Sequence, residues 1–336
     1  MTTPVPAATR VVTLIREPTG TPRADDFAVV ERPLAEPGPG AVVVRVRAFR
    51  VSASLLAMVG GGRERRGVPF PPVAVGDALY GAAMGTVLAA PSGGPITVGD
   101  TVIHHLGWRD YAVLPVRDCR MVPADVSPAV ALGFGGTAYA ALTRGTRVHP
   151  GDTVLVTAGG SAIGAMAGQI ARILGAGRVL ATASDRSRGD RLMAELGYDA
   201  VVTRDRPLDA QLGQAAPDGL DVVIDNVGGE QLAAAVRAAR PHARYVLLGS
   251  LAGQLGGDST VQLDGGLFAP LRITLRGYSS DDDPDAEAEW RERSAAWIAD
   301  GQLVPAGATV GGLERAAEAL IGVAAGEYVG TVLVEP

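Results

Sequence analysis

The chain contains no lysine: all 30 of its basic residues are arginine. Schiff-base chemistry and a lysine general base are therefore excluded. Cysteine is nearly as scarce. Cys119 stands alone, so neither an internal disulfide nor a cysteine-rich zinc site can form within the chain. Positive charge is not in excess either. The formal net charge is -6, which argues against nucleic acid or an anionic membrane surface as a partner. The opening residues MTTPVPAATRVV show no basic stretch leading into an apolar one, so no signal peptide is expected. The uncharged stretch from Ser127 to Thr143 is rich in glycine and alanine and falls short of the ~20-residue apolar span of a membrane helix. A cytoplasmic protein with a small-molecule substrate is expected.

What the chain does have is material for real cores, with 47% hydrophobic residues, and many turns, with 45 glycines and 23 prolines. Its 336 residues suggest two domains at ~150 residues each. The first ~120 residues read as β-rich. Apolar runs such as Ala41 to Val46 alternate with turns such as Glu36-Pro37-Gly38-Pro39-Gly40. From Gly151 onward strands and helices alternate. Strands are expected at 153–157, 178–182, 200–203, 221–225 and 244–249, with helices at 163–174, 189–196, 208–215 and 230–240. That rhythm predicts a doubly wound parallel sheet. A strand is expected near 272–276, a helix from Pro284 to Ala299 capped by Asp283, a helix near 313–325 and a strand near 328–334.

The stretch TAGGSAIGAMAGQ, residues 157–169, follows the first strand of this alternating half. Gly159 and Gly160 permit a tight turn, and Gly164 and Gly168 leave a small face toward the sheet. The N–H groups at the start of the following helix, around Gly160, Ser161, Ala162, Ile163 and Gly164, would then face a pyrophosphate. Ser161 stands where such loops usually carry glycine. Gly160 is expected to take over the turn, and the Ser161 hydroxyl to donate to a phosphate oxygen. An ordinary turn without a ligand is the simpler alternative. The second strand ends at Thr182-Ala183 with no acid to select a free ribose diol. Ser184, Arg186 and Arg188 follow, and Arg204 follows the third strand, a set suited to a 2′-phosphate and hence to NADP. Asp185 could accept from a ribose hydroxyl instead, and a solvated arginine-rich helix start would also fit.

Several stretches carry a resemblance to a known family: VGDTVIHHLGWRDYAV (98–113), LGFGGTAYAAL (132–142), DVVIDNVGGEQL (221–232), RITLRGYSSDD (272–282) and GEYVGTVLV (326–334). Together they resemble the zinc-free branch of the medium-chain dehydrogenase/reductase superfamily, and within it the prostaglandin reductase and alkenal double-bond reductase group. The resemblance implies a Rossmann domain, residues 123–293, inserted in a β-rich, barrel-like (GroES-like) catalytic domain formed by 1–122 with 294–336. It implies an active cleft between the two, NADPH as hydride donor, 1,4-reduction of a C=C bond conjugated to a carbonyl, no metal, and a homodimer. It also implies that Thr137 and the backbone of Phe134-Gly135-Gly136 line the nicotinamide. Asn226, Val227 and Gly228 would lie over the cofactor, and Gly249, Ser250 and Leu251 beside the ring.

The chain departs from the group at two pocket positions. Ala53-Ser54-Leu55-Leu56-Ala57 stands where the group often has Asp-Pro-Tyr-Met-Arg. Gly326-Glu327-Tyr328-Val329-Gly330-Thr331 replaces Gly-x-Asn-x-Gly-Lys. Enone reduction asks the protein for a donor to the developing enolate and for a proton. Tyr328, Tyr278 and Ser54, or Ser52 beside it, are the candidate side chains. His104 and His105 are neighbours on a strand and point to opposite faces, so they do not form a metal pair, and a pocket-facing and a surface histidine are expected. The basic loop GGGRERRG, residues 60–67, admits contact with a carrier- or CoA-linked phosphate through Arg63, Arg65 and Arg66, a solvated loop being the plainer reading. Quinone or C=N reduction would use the same hydride geometry. A non-redox protein that binds NADP as a cyclase or scaffold is the alternative of another class.

Overall fold

A computed structural model describes residues 4–59, 71–250 and 260–336. The chain forms two units, one of Met1–Gly133 with Gly307–Pro336, the other of Phe134–Ala306.

In the first unit, β1 (Ala8–Leu14) and β2 (Phe27–Pro33) pair antiparallel. The buried carboxylate of Asp26 closes the turn between them through Arg16 and the backbone N–H of Arg23. A larger sheet is built on β3 (Ala41–Val51). Its inward positions Val42, Val44, Val46 and Ala48 are fully or almost fully buried, and the interleaved Arg45 and Arg47 are exposed. The alternation holds only from 44 to 48, because Val43, Phe49 and Val51 are buried as well, so both faces of the strand are covered at its ends. After β3 comes a short helix, α1 (Ser54–Val59). The chain then adds β4 (Ala83–Ala89), β5 (Thr101–His104), β6 (Tyr111–Pro115), β7 (Arg120–Met121) and α2 (Pro128–Ala131).

The second unit starts with α3 (Gly135–Ala140), which continues into a π turn at Ala141–Gly145. Strands β8 (Thr153–Val156), β9 (Arg178–Ala183), β10 (Ala200–Thr203), β11 (Leu220–Asp225) and β12 (Ala239–Leu247) then alternate with α4 (Ala162–Ile173), α5 (Arg186–Leu196), α6 (Leu208–Ala215) and α7 (Gly229–Arg237). After a short α8 (Phe268–Leu271), β13 (Thr274–Gly277) completes a parallel sheet of order β10-β9-β8-β11-β12-β13. The order reverses beside β8, the switch point at which such sheets leave room for a ligand. The expected doubly wound parallel sheet is therefore present.

Helix α9 (Pro284–Ala299) belongs to this unit. Trp290 and Trp297 pack on each other and on Tyr139 of α3, with ring centroids 6.0–6.3 Å apart. The unit boundaries consequently fall at 133/134 and 306/307, where the sequence suggests 122/123 and 293/294. Gln169 of α4 holds the end of this unit with both ends of its amide: Nε2 donates to the carbonyl of Val304 (3.0 Å) and Oε1 accepts its N–H (2.8 Å).

The chain returns to the first unit through β14 (Gly307–Gly311), α10 (Ala316–Ala325) and β15 (Thr331–Glu335). The sheet there runs β14-β15-β3-β4-β5-β7, with β6 also on β3. Two local expectations are corrected. Helix α7 ends at Arg237 rather than 240, because Ala239 already pairs with Leu220 and opens β12. Asp283 does not cap α9, because its carboxylate accepts from the Tyr278 hydroxyl at 2.7 Å. Among the described residues no helix is long and apolar enough to cross a membrane.

Candidate functional site

The turn after β8 is fixed by its surroundings. Ala158 takes a left-handed φ of +50°. Its N–H donates to Thr182 Oγ1 (2.8 Å), and the next N–H, of Gly159, to the Thr182 carbonyl (3.1 Å). The residue with positive φ is thus Ala158 and not Gly160, which corrects the expectation for that glycine. Glycine is needed instead for close approach. A Cβ on Gly159 would lie 2.4 Å from Ala181 Cβ, and one on Gly164 2.3 Å from the Ala158 carbonyl oxygen. Ser161 needs no unusual backbone, at φ -69° and ψ 166°. It caps α4, its Oγ accepting the N–H of Gly164 at 3.0 Å. The hydroxyl proton stays available to a ligand. The first-turn N–H groups of Ala162 and Ile163 have no acceptor within the helix. They form one end of a 12-residue dipole.

The carboxyl ends of the neighbouring strands meet this turn. Asp225 ends β11, fully buried, and its carboxylate accepts from Thr157 Oγ1 (2.8 Å) and from the N–H of Gly228 (2.9 Å). Burial pushes its pKa up, against the pull of those donors. Gly228 adopts φ 77°, ψ -155°, a region open essentially to glycine alone. Asn226, the chain's one asparagine, gives Nδ2 to the Thr157 carbonyl (3.0 Å), while its buried Oδ1 has no partner among the described residues. Ser250 Oγ, after β12, is likewise buried and without one. A Cβ on Gly249 would sit 3.3 Å from the Asn226 carbonyl oxygen, so the two loops touch.

On the other side of β8, Arg188 of α5 reaches the turn: Nη2 lies 3.3 Å from where a Cβ of Gly160 would be. Burial, then the charge of Arg191, lowers its pKa, and Arg204 acts in the same sense. A bound dianion would relieve that crowding of positive charge. Arg186 is elsewhere, 84% exposed beside Asp190. Ser184 donates to Asp185 (2.7 Å), and the same carboxylate caps α5 by accepting the Arg188 N–H (3.0 Å). Asp185 therefore already has two donors and is a poor partner for a ribose hydroxyl. Thr137 Oγ1 lies 3.4 Å from Ser280 Oγ, and the faces of Gly135 and Gly136 are covered by Trp290 and Glu287. Leu251 and the loop 60–67 fall outside the described residues.

The catalytic candidates are distributed differently. Ser54 Oγ and Ser52 Oγ share a hydrogen bond of 2.8 Å where β3 leaves the sheet. The register Val332↔Val51 brings the turn before β15, with the half-buried Tyr328, to the same sheet end. The Tyr328 ring rests on Gly322 of α10, where a Cβ would come within 2.7 Å of it. Tyr278, in the other unit, has its hydroxyl engaged by Asp283 and its pKa raised by burial and then by that bond. His105 is exposed, as alternation predicts. His104 is not pocket-facing: it is 3% exposed, on the same strand face as Val102 in the core of Val42, Val44 and Val87. Its Nδ1 accepts the Leu106 N–H. Among the described residues no group of three His, Cys, Asp or Glu is placed to hold a metal.

The chemistry of this edge fits a dinucleotide. It offers a helix start for a pyrophosphate, Arg188 against the turn with the charge of Arg204 felt there, and a buried amide oxygen and hydroxyl without partners among the described residues. Family models agree with that frame. One described as zinc-binding dehydrogenase matches residues 162–299, and one described as N-terminal domain of oxidoreductase matches residues 10–122. The probable quinone oxidoreductase of Leishmania amazonensis is 33% identical over 241 residues, covering 69% of this chain and 68% of that protein. This chain belongs to the medium-chain dehydrogenase/reductase superfamily. Among other members, the NADPH-dependent curcumin reductase of Escherichia coli (strain K12) is 27% identical over 333 residues, 96% of this chain and 95% of that one. The crystal structure of CurA in complex with NADPH from Vibrio vulnificus has a TM-score of 0.87 at 26% identity, covering 97% of this chain and 98% of that one.

Sequence reasoning missed the residues that hold this superfamily member's loops from behind: Thr157, Thr182, Tyr198, Gln231 and the carboxylate of Asp225. Thr182 Oγ1 also donates to Gln231 Oε1 (2.5 Å). A signal for one pair was present. Thr157 and Asp225 each end an apolar strand, and parallel pairing puts both ends at one edge.

Proposed function

We propose that the chain is an NADPH-dependent medium-chain reductase that adds hydride and a proton across a C=C bond conjugated to a carbonyl. The observation that carries the cofactor is Arg188 set against Gly160 of the turn, with the charge of Arg204 beside it. A guanidinium pair there selects a 2′-phosphorylated ribose over a free diol. The bound structural relative and the NADPH-dependent curcumin reductase support the same cofactor. Ser161, Ala162, Ile163 and Gly164 would hold the pyrophosphate. Asn226, Gly228, Gly249, Ser250 and Thr137 would hold the nicotinamide half.

Held by those residues, NADPH would supply hydride chemistry for the β-carbon of the alkene. The alkene electron pair then moves toward the carbonyl oxygen, and the α-carbon takes a proton. The protein supplies a donor to that oxygen and orders the groups. The Tyr278 hydroxyl donates a hydrogen bond to Asp283, and we assign the donor role to Tyr328 or to Ser54 with its partner Ser52. The curcumin reductase relative favours an enone as acceptor. The quinone oxidoreductase relative favours a second reading, a quinone acceptor, which needs the same hydride delivery. We propose a homodimer, for which β13, an edge strand of its sheet among the described residues, offers a pairing edge.

The test is NADPH consumption with a panel of enones, quinones and cyclic imines. Oxidation with an enone, yielding the saturated ketone, is expected. Tight NADPH binding without oxidation by any acceptor would overturn the reading in favour of a non-redox role.

A further inference from the structure

Tyr198 lies behind the phosphate turn, between α5 and β10, and it is 4% exposed. Its hydroxyl donates to the carbonyl of Gly164 at 2.7 Å and is 3.2 Å from that of Gly159. These two carbonyls bracket the turn: one lies at its entry, the other in the first helical turn of α4. The ring fits because the residues facing it have no side chains. A Cβ on Gly168 would come within 2.6 Å of the ring, and one on Gly159 within 3.2 Å. The neighbouring Asp199 pins this segment independently, accepting the Val179 N–H (2.7 Å) and Arg172 (2.5 Å).

We propose that Tyr198 is a positioning residue for the dinucleotide, its hydroxyl fixing the distance between residues 159 and 164 and so aiming the N–H groups of Ala162 and Ile163 at the pyrophosphate. The proposal rests on the NADPH reading above. Burial raises the phenol's pKa well above its ordinary range, so the hydroxyl remains a donor at any working pH. A phenylalanine ring would fill the same space, held by the same Asp199 contacts, but would tie neither carbonyl. Both NADPH and NADH carry the pyrophosphate, whereas only NADPH carries the group that Arg188 and Arg204 would read. The two roles therefore leave different signatures.

The experiment compares the full-length protein with Tyr198→Phe and Gly168→Ala, the second of which crowds the ring at its hydroxyl end. Dissociation constants for NADPH and NADH are measured by titration, kcat at saturating NADPH with the best acceptor, and Tm without ligand. For Tyr198→Phe both dissociation constants should rise together by about 5- to 10-fold, the size of one lost hydrogen bond, with their ratio and kcat unchanged. Gly168→Ala should show the same pattern. Unchanged dissociation constants in a Tyr198→Phe protein with lowered Tm would overturn the proposal, since Tyr198 would then only stabilise the fold. A loss confined to NADPH would overturn it as well, because the effect would lie at the 2′-phosphate. If the unaltered protein binds neither dinucleotide, the cofactor reading itself falls.

Discussion

Acidifying the protein from about pH 7.5 to about pH 5 should weaken its β-rich unit through one side chain, His104. Burial, then the charges of His105 and Arg109, depresses its pKa to about 3. In the unfolded chain the same imidazole titrates near ~6.5. The folded state therefore keeps His104 neutral, and between the two values the unfolded state binds the extra proton. The neutral side chain's contribution is intact above ~6.5 and is lost as pH falls from there toward 3. At about pH 5 the unfolded state gains about 2 kcal/mol relative to about pH 7.5. His104→Asn keeps an acceptor for the Leu106 N–H and cannot ionise. Hydrogen exchange of peptides spanning β4 and β5, corrected for the intrinsic pH dependence of exchange, reports the local opening free energy. The unaltered protein should lose about 2 kcal/mol more than the variant over that interval. Equal losses in the two proteins would refute the reasoning.

Replacing Arg188 and Arg204 together by alanine should raise the NADPH dissociation constant by about 10- to 100-fold and leave that of NADH nearly unchanged, as two titrations would show. Thr157→Val removes a donor to Asp225 and an acceptor for the Asn226 N–H, so unfolding in urea should show a loss of about 2–3 kcal/mol, accompanied by a higher KM for NADPH. Tyr328→Phe should lower kcat with an enone by about 100-fold while the NADPH dissociation constant holds, and Ser54→Ala should do so instead if the serine is the donor.

Much of the second unit was legible because its elements are short-range patterns. Strands such as 200–203 and helices such as 208–215 and 284–299 follow from apolar period, proline and turn residues alone. What escaped depended on partners far along the chain. Arg186 and Arg188 carry the same charge in the sequence, yet residues two apart on a helix point to nearly opposite sides, so only one can face Gly160. Asp283 has the chemistry of a helix cap but lost its carboxylate to Tyr278, which no local rule foresees. The glycines at 164 and 168 announce a close neighbour, and only the fold says that it is Tyr198. In the first unit the register shifts of β3 against β4, at Val43/Val44 and Val46/Ala48, arise from pairing across some forty residues and leave no local trace.

The amide of Gln169 imitates a peptide group and grips Val304 as a strand would. It belongs to α4, the helix whose opening turn we propose holds the pyrophosphate, and Val304 lies three residues before Gly307, where the chain leaves this unit. A rigid rod so anchored cannot slide or tilt at its charged tip without tugging the exit cord or snapping both bonds of the clasp. A fluorophore attached near 304 should therefore report whether the far end of that rod is gripping its cargo.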